Sequence, residues 1–227
     1  MENRKRKAWL AAALLLIIFS LVFFCLAYQE HKPFEEAKVK IRAVKETVVE
    51  QIDPDDPMSR QIDFETLKEI NPEIIGWLYI PQIGIDSPVL KGQTDTEYLT
   101  HDFEGNYSPL GSVFTWAEAD ASLSGPHICL FAHNMASGQM FGRLKEFKNP
   151  DFQGREEALY LYTPERSKKL VISSVQECHM SDDIFQNGWN EGEGICQKVT
   201  LATCTGYSGT AYRLAVTCDV VQERIVL

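Results

Sequence analysis

The chain has no Cys-x-x-Cys pair, and its five histidines are scattered, so no zinc-type ligand set is spelled out and no metal or cofactor is expected. Positive charge is scarce: 22 Lys and Arg against 32 Asp and Glu give a formal net charge of -10. Four of the cations, Arg4, Lys5, Arg6 and Lys7, fall in the first seven residues, so the remainder is more acidic still. That balance excludes the basic footprint of a nucleic-acid partner. No internal repeat and no low-complexity tract is present. Cysteine is limited to six residues, and one of them, Cys25, lies in an apolar run. The five others, Cys129, Cys178, Cys196, Cys204 and Cys218, are odd in number, so at least one stays free or bonds between chains.

What is present begins with hydrophobicity. Residues 8–28 carry no charge and are rich in Leu, Ala, Phe and Ile. As a helix at ~1.5 Å per residue they reach about 30 Å, the thickness of a bilayer core. The basic residues 1–7 before them favour a cytoplasmic N-terminus, with everything after the span outside the cell membrane. A cleaved signal peptide is the alternative, but the run is long for one and ends without a small-x-small site. Across residues 29–61, Phe34, Ala37, Ile41, Val44, Val48 and Ile52 repeat at three-four spacing, which predicts an amphipathic helix over 33–52. Such a stripe serves as a stalk, a self-association surface or, most commonly, a helix packed on its own domain. Asp53-Pro-Asp-Asp-Pro57 then reads as a linker.

A chain of 227 residues with 44% hydrophobic content supports one well-buried domain plus appendages, here residues 62–227. Asp63 is placed to cap a short helix carrying Phe64, Leu67 and Ile70, which must end at Asn71-Pro72. Strand-like runs follow near 75–80, 84–90, 111–116, 127–132, 158–163, 169–177, 197–203 and 211–221, with one helical insert around Met140 to Phe147. Eight short strands separated by turn signals predict a mainly β fold, a closed barrel with short helices. Cys129 and Cys218 fall in apolar strand rows and read as core residues. Cys178 and Cys196 bracket a polar segment, where a bridge or two free thiols both remain open.

The chemistry concentrates at residues 199–213. Val199 and Leu201 alternate with Thr200, Ala202 and Cys204, so a strand burying the first pair turns Cys204 to the opposite face. In the return strand Leu214, Val216, Cys218 and Val220 form the apolar row, which puts Arg213 on that same face. Gly206 and Gly209 suit the reversal between them. A thiol at ordinary pKa is only a few per cent thiolate, so such a site needs a base. His133 answers this, because the apolar run Ile128-Cys-Leu-Phe-Ala stops abruptly at His133-Asn-Met, at the exit of a strand.

Thr200-Leu-Ala-Thr-Cys204 followed by Arg213, in the order His, Cys, Arg, resembles the active-site strand pair of the sortases. Gly76-Trp-Leu-Tyr-Ile-Pro81, Ile85-Asp-Ser-Pro-Val-Leu90, Tyr98-Leu99 with His101-Asp-Phe, Gly111-Ser-Val-Phe114, Met140-Phe-Gly-Arg-Leu144 and Leu161-Tyr-Thr-Pro164 resemble class B in particular, over residues 62–221. The resemblance implies a sortase-type barrel and a membrane-anchored cysteine transpeptidase. In that reaction Cys204 attacks a threonine carbonyl in the C-terminal sorting signal of a secreted protein. His133 protonates the departing amine and later deprotonates the incoming one, and Arg213 orients the substrate and stabilises the oxyanion. Leu99 and Thr203 are the implied substrate contacts, and the partners are secreted proteins and an amine acceptor of the cell wall. Ala202 stands where the family often has Ser, and Ala132 where a glycine often precedes the histidine. Residues 179–196 are too short and glycine-rich for the long helix usual in class B; Trp189 there is a groove wall or an exposed loop aromatic. The alternatives are a pilin-polymerising sortase, a tethered cysteine protease that releases its thioester to water, and a catalytically silent binding module.

Overall fold

A computed structural model describes residues 2–149, 152, 158–186, 196–206 and 210–226. It divides into two compact units, one up to Lys40 and one from Ile41 onward. The first unit is helical, within helix α1 (Glu2–Val48), and its apolar stretch is long and hydrophobic enough to cross a membrane by length and composition. Pro33 lies inside that helix.

The second unit is organised as a closed eight-stranded barrel. In chain order the short strands β1 (Val49–Gln51) and β2 (Arg60–Ile62) form a hairpin of their own, and helix α2 (Phe64–Ile70) follows. The barrel consists of β3 (Ile74–Ile80), β4 (Ile85–Leu90), β5 (Val113–Phe114), β6 (His127–Phe131), β7 (Leu159–Tyr162), β8 (Arg166–His179), β9 (Lys198–Cys204) and β10 (Tyr212–Ile225). Around the barrel they run β10-β8-β7-β3-β4-β5-β6-β9, closing on β10. All pairs are antiparallel except β4 with β5 and β6 with β9. The mainly β architecture and the eight strands are as the hydrophobic pattern predicts. Among the described residues closure pairs every barrel strand on both sides.

Period-two alternation explains the closure. Leu78 and Ile80, Leu159 and Leu161, Val199 and Leu201, and Leu214, Val216 and Cys218 all point into one core with Phe141, Leu144 and Phe147. Each fully buried aliphatic side chain of this kind contributes about 1.5–3 kcal/mol before chain entropy is counted. A second cluster covers the outer wall at β3 and β7. Trp77, Tyr160 and Tyr162 pack there under α2 and under Val44 and Val48 of α1. Asp86 sits in that layer, accepting the Trp77 indole N–H at 2.6 Å and pairing with buried Arg60 at 2.8 Å and Lys45 at 2.6 Å. The Arg60 guanidinium lies 3.9 Å over the Tyr79 ring.

Three local details differ from the sequence-based expectations. The helix stops at Val48 instead of reaching residue 52, because Val49–Gln51 pairs with β2 and leaves Ile52 exposed. Residues 53–57 close that hairpin as a bonded turn, with the Asp53 amide on Ser59 Oγ at 2.8 Å. The insert expected as a helix over Met140–Phe147 is a run of turns followed by a 3-10 helix, Leu144–Lys148. Met140 has φ +49, and a Cβ on Gly142 would lie 2.1 Å from the Met135 carbonyl oxygen, so the chain there is too tight for an α-helical path. The capped helix at Asp63 forms as expected, its carboxylate accepting the Thr66 amide at 2.9 Å.

Candidate active site

The site grows from two strand ends. Cys204 closes β9 and Arg213 is the second residue of β10, and the two are direct cross-strand partners. Paired residues point to one face, so thiol and guanidinium share the outer side of the barrel while Val199, Leu201, Leu214 and Val216 fill the inside. On the other side of β9 runs β6, parallel and in register to Phe131 opposite Ala202. Continuing that register by two residues sets His133 beside Cys204. Side-chain bonds carry the pairing past the end of the ladder: Thr203 Oγ1 donates to the Ala132 carbonyl at 2.8 Å, and Asn134 Nδ2 donates to the Cys204 carbonyl at 2.7 Å.

Each of the three side chains is held from a different direction. The Phe141 amide donates to the His133 carbonyl at 3.0 Å, closing the 133–141 loop. His133 Nε2 lies 2.8 Å from the Leu99 carbonyl oxygen. Leu99 ends a 3-10 turn, Glu97–Leu99, anchored by its neighbour Tyr98, whose buried hydroxyl bonds Glu73 at 2.5 Å and Asn71 at 2.9 Å. Gly111, at φ +61, fits against this turn: a Cβ there would meet the Tyr98 oxygen at 2.4 Å and the Leu99 oxygen at 2.8 Å. Arg213 donates through Nη1 to the Thr210 and Tyr212 carbonyls at 2.5 and 3.0 Å, and Nη2 lies 4.0 Å from Met180 Sδ. A guanidinium has five N–H groups, so donors remain for a ligand.

These residues line one cleft of about 190 Å³. Ala202 lines it with only a methyl group, backed by Ala215 across β9 and β10 within an apolar cluster that includes Phe185 and Trp116. The Trp116 indole donates to the Phe185 carbonyl at 2.8 Å, and its ring lies 4.3 Å from that of Phe131. All five residues singled out in the sequence, His133, Cys204, Arg213, Leu99 and Thr203, line this cleft. Thr203 is buried, and its hydroxyl is engaged with Ala132. Two lining or bracing groups went unassigned in the sequence. Asn134 stood inside the quoted His-Asn-Met motif, and Asp95 sits in a polar turn with no pattern to mark it.

Burial separates Cys204 from the remaining thiols. Cys204 is half-buried, whereas Cys129, Cys178 and Cys218 are buried. Burial pushes the Cys129 thiol up to about 12 and raises Cys178 and Cys218 as well, which keeps them protonated. All six cysteines are free. The open question of a Cys178–Cys196 bridge is settled by topology. Cys178 pairs with Arg213 near the start of β10, while the Gln197 carbonyl accepts the Val220 amide seven residues further along, roughly 20 Å away at about 3.3 Å per residue. Trp189 lies outside the described residues, as do the other residues of 187–195, so the expectation for 179–196 is met only by its described start, which carries a 3-10 turn, Asp183–Phe185.

A half-buried thiol, an imidazole and a guanidinium in one apolar cleft are the groups that acyl transfer through a thioester requires. Comparison with known proteins agrees with that chemistry. The sortase domain model matches residues 78–221. Sortase B of Staphylococcus aureus is 21% identical over 217 residues, spanning 86% of each chain. The crystal structure of Clostridium perfringens sortase B is 25% identical with a TM-score of 0.59, covering 70% of this chain and all of that one. A structure described as the Staphylococcus aureus sortase B-substrate complex has a TM-score of 0.61 at 22% identity, over 70% of this chain and 84% of that one. The chain belongs to the sortase family of cysteine transpeptidases, and within it to class B.

Proposed function

We propose that the protein is held in the cell membrane by its N-terminal helix, with the barrel outside. There it joins secreted proteins to an amine of the cell wall. The observation that carries the reading is the convergence of Cys204, Arg213 and His133 at the ends of adjacent strands. In this scheme the Cys204 thiolate adds to the carbonyl of a threonine in a C-terminal sorting signal. Arg213 faces the developing oxyanion from the neighbouring strand. The tetrahedral adduct collapses as the peptide amine leaves with a proton from His133, giving a thioester and a released C-terminal fragment. An incoming amine, deprotonated by His133, attacks the thioester, and Cys204 leaves as thiolate.

The apolar span in residues 8–28, preceded by the basic residues 1–7, supports anchoring with the N-terminus inside. The small side chain at Ala202 supports an extended peptide lying across the strands, with Leu99 on one wall. The likeness to a structure named as a sortase B-substrate complex supports a peptide in the same cleft.

Product analysis tests the scheme. With a cognate signal peptide and an added amine, the wild-type protein yields an amine-linked product, and Cys204→Ala and His133→Ala yield none while keeping their fold. Arg213→Lys is expected to be much slower, since an ammonium cannot reproduce the forked donors. Cleavage that gives only the free acid at every amine concentration would contradict transfer and point to a protease.

A further inference from the structure

The guanidinium of Arg213 is committed on one side. Nη1 is taken up by the Thr210 and Tyr212 carbonyls, so Nη2 and Nε hold the donors left for a ligand. Nη2 lies 4.0 Å from the Sδ atom of Met180. The backbone fixes Met180 there: its amide donates to the Ala211 carbonyl at 2.8 Å, one step beyond the last pair of the β8–β10 ladder, Tyr212 with His179. A thioether is a weak acceptor, so this contact leaves Nη2 available. The same sulfur is open to reagents. Met180 lines the cleft and is 52% exposed, whereas Met58 is buried and Met135 and Met140 are half-buried. Among the described residues Met180 is therefore the most accessible thioether, and it touches the cation beside the reactive thiol.

We infer that Met180 is a reversible oxidation site, at which hydrogen peroxide converts the thioether to a sulfoxide that withdraws an Arg213 donor from the oxyanion. A sulfur lone pair attacks one peroxide oxygen and the O–O bond breaks. The sulfur is oxidised by two electrons to the sulfoxide, and the departing hydroxide takes the proton of the transferred oxygen and leaves as water. An oxygen on the Arg213 side of a sulfur 4.0 Å from Nη2 comes within the about 2.7–3.2 Å at which an N–H donates to oxygen. The sulfoxide is polar where the thioether was not, so Nη2 is held toward Met180 and is lost to the tetrahedral adduct. The inference rests on the transpeptidase reading, in which Arg213 faces that adduct, and adds a means of turning the site down.

In the experiment the accessible thiols of the full-length protein are masked as methyl disulfides before hydrogen peroxide is added. Dithiothreitol then frees the thiols and leaves methionine sulfoxide in place. Peptide mapping locates the added oxygen, and thioester formation on Cys204 with a cognate signal peptide is timed by mass spectrometry. Protein oxidised at Met180 is expected to form the thioester about tenfold more slowly, the loss of part of one oxyanion donor, and to recover with methionine sulfoxide reductases A and B. Met180→Leu and wild type are each compared with their own untreated rate, and the variant should lose less than about twofold. Three results overturn the inference and leave the transpeptidase reading standing: Met180 unmodified by peroxide, a full rate with Met180 oxidised, or an equal loss in Met180→Leu. A loss that the reductases do not reverse overturns it as well. No thioester in the untreated wild type overturns the transpeptidase reading and the inference with it.

Discussion

The Nε2 atom of His133 lies 2.8 Å from the carbonyl oxygen of Leu99. A carbonyl can only accept, so Nε2 carries a proton in both charge states of the ring, and Nδ1 is the nitrogen left to take up and release one. Nitrogen-15 NMR of the neutral enzyme is therefore expected to show the Nε2–H tautomer at His133. The Nδ1–H tautomer would contradict the proposed proton path. His133→Gln, whose amide can still donate toward Leu99, should fold normally and lose about 10²- to 10⁴-fold in turnover.

Gly111 determines where that carbonyl sits. Its positive φ and its contact with the Tyr98 and Leu99 oxygens leave no room for a methyl group. Gly111→Ala is expected to shift the Glu97–Leu99 turn and lower kcat more than it raises KM. Unchanged kinetics would mean the turn can yield without disturbing His133.

Asn134 holds the other side of the site by donating to the Cys204 carbonyl at 2.7 Å. Asn134→Ala leaves that carbonyl without this partner, at a cost of about 1–2 kcal/mol. Adduct formation on Cys204 should slow by about tenfold, with the melting temperature lowered by about 2–8 °C. A loss of stability without a loss of rate would make Asn134 a purely structural clamp.

Away from the cleft, Asp86 gathers Arg60, Lys45 and Trp77. Asp86→Ala leaves the buried Arg60 uncompensated and is expected to cost about 3–5 kcal/mol by urea denaturation. A change below about 1 kcal/mol would show that water reaches the guanidinium once the carboxylate is gone.

His127 opens β6 at the end away from His133 and is buried, with Nε2 2.9 Å from Thr200 Oγ1 and Thr200 in turn 3.0 Å from Thr217. Burial, with Lys198 nearby, lowers its pKa from 6.5 to about 4. The unfolded chain therefore binds the extra proton first, so stability falls as pH drops from about 6.5 to 4 and is unaffected by this group above 6.5. His127→Gln should flatten the acid side of a plot of melting temperature against pH. An unaltered slope would assign the acid sensitivity to carboxylates alone.

Much of this was legible because parity along a strand needs no structure. Val199 and Leu201 fix the inward face of β9, so Cys204 and Arg213 had to share the outer one. The abrupt end of an apolar run at His133 placed that ring at a strand exit. Backbone relationships were not legible. The Leu99 carbonyl that meets His133 carries no side-chain signature, and neither does the tight approach of Gly142 to Met135 that replaces a helix with turns. The amphipathic repeat of α1 ran on to Ile52 in the sequence, but the competing ladder between Val49–Gln51 and Arg60–Ile62 takes over at Val49. Asp95 was silent because a lone aspartate in a turn looks like any solvated loop residue.

The central claim is that Cys204 forms an acyl intermediate that an amine resolves. Intact-protein mass spectrometry during turnover of a threonine-containing signal peptide tests it most directly. The account predicts a thioester mapped to Cys204, absent in Cys204→Ala, that disappears on adding triglycine or a diaminopimelate-containing peptide as amine-linked product appears. An adduct on another residue, or a Cys204 thioester lost at the same rate to free acid whatever amine is present, would contradict it.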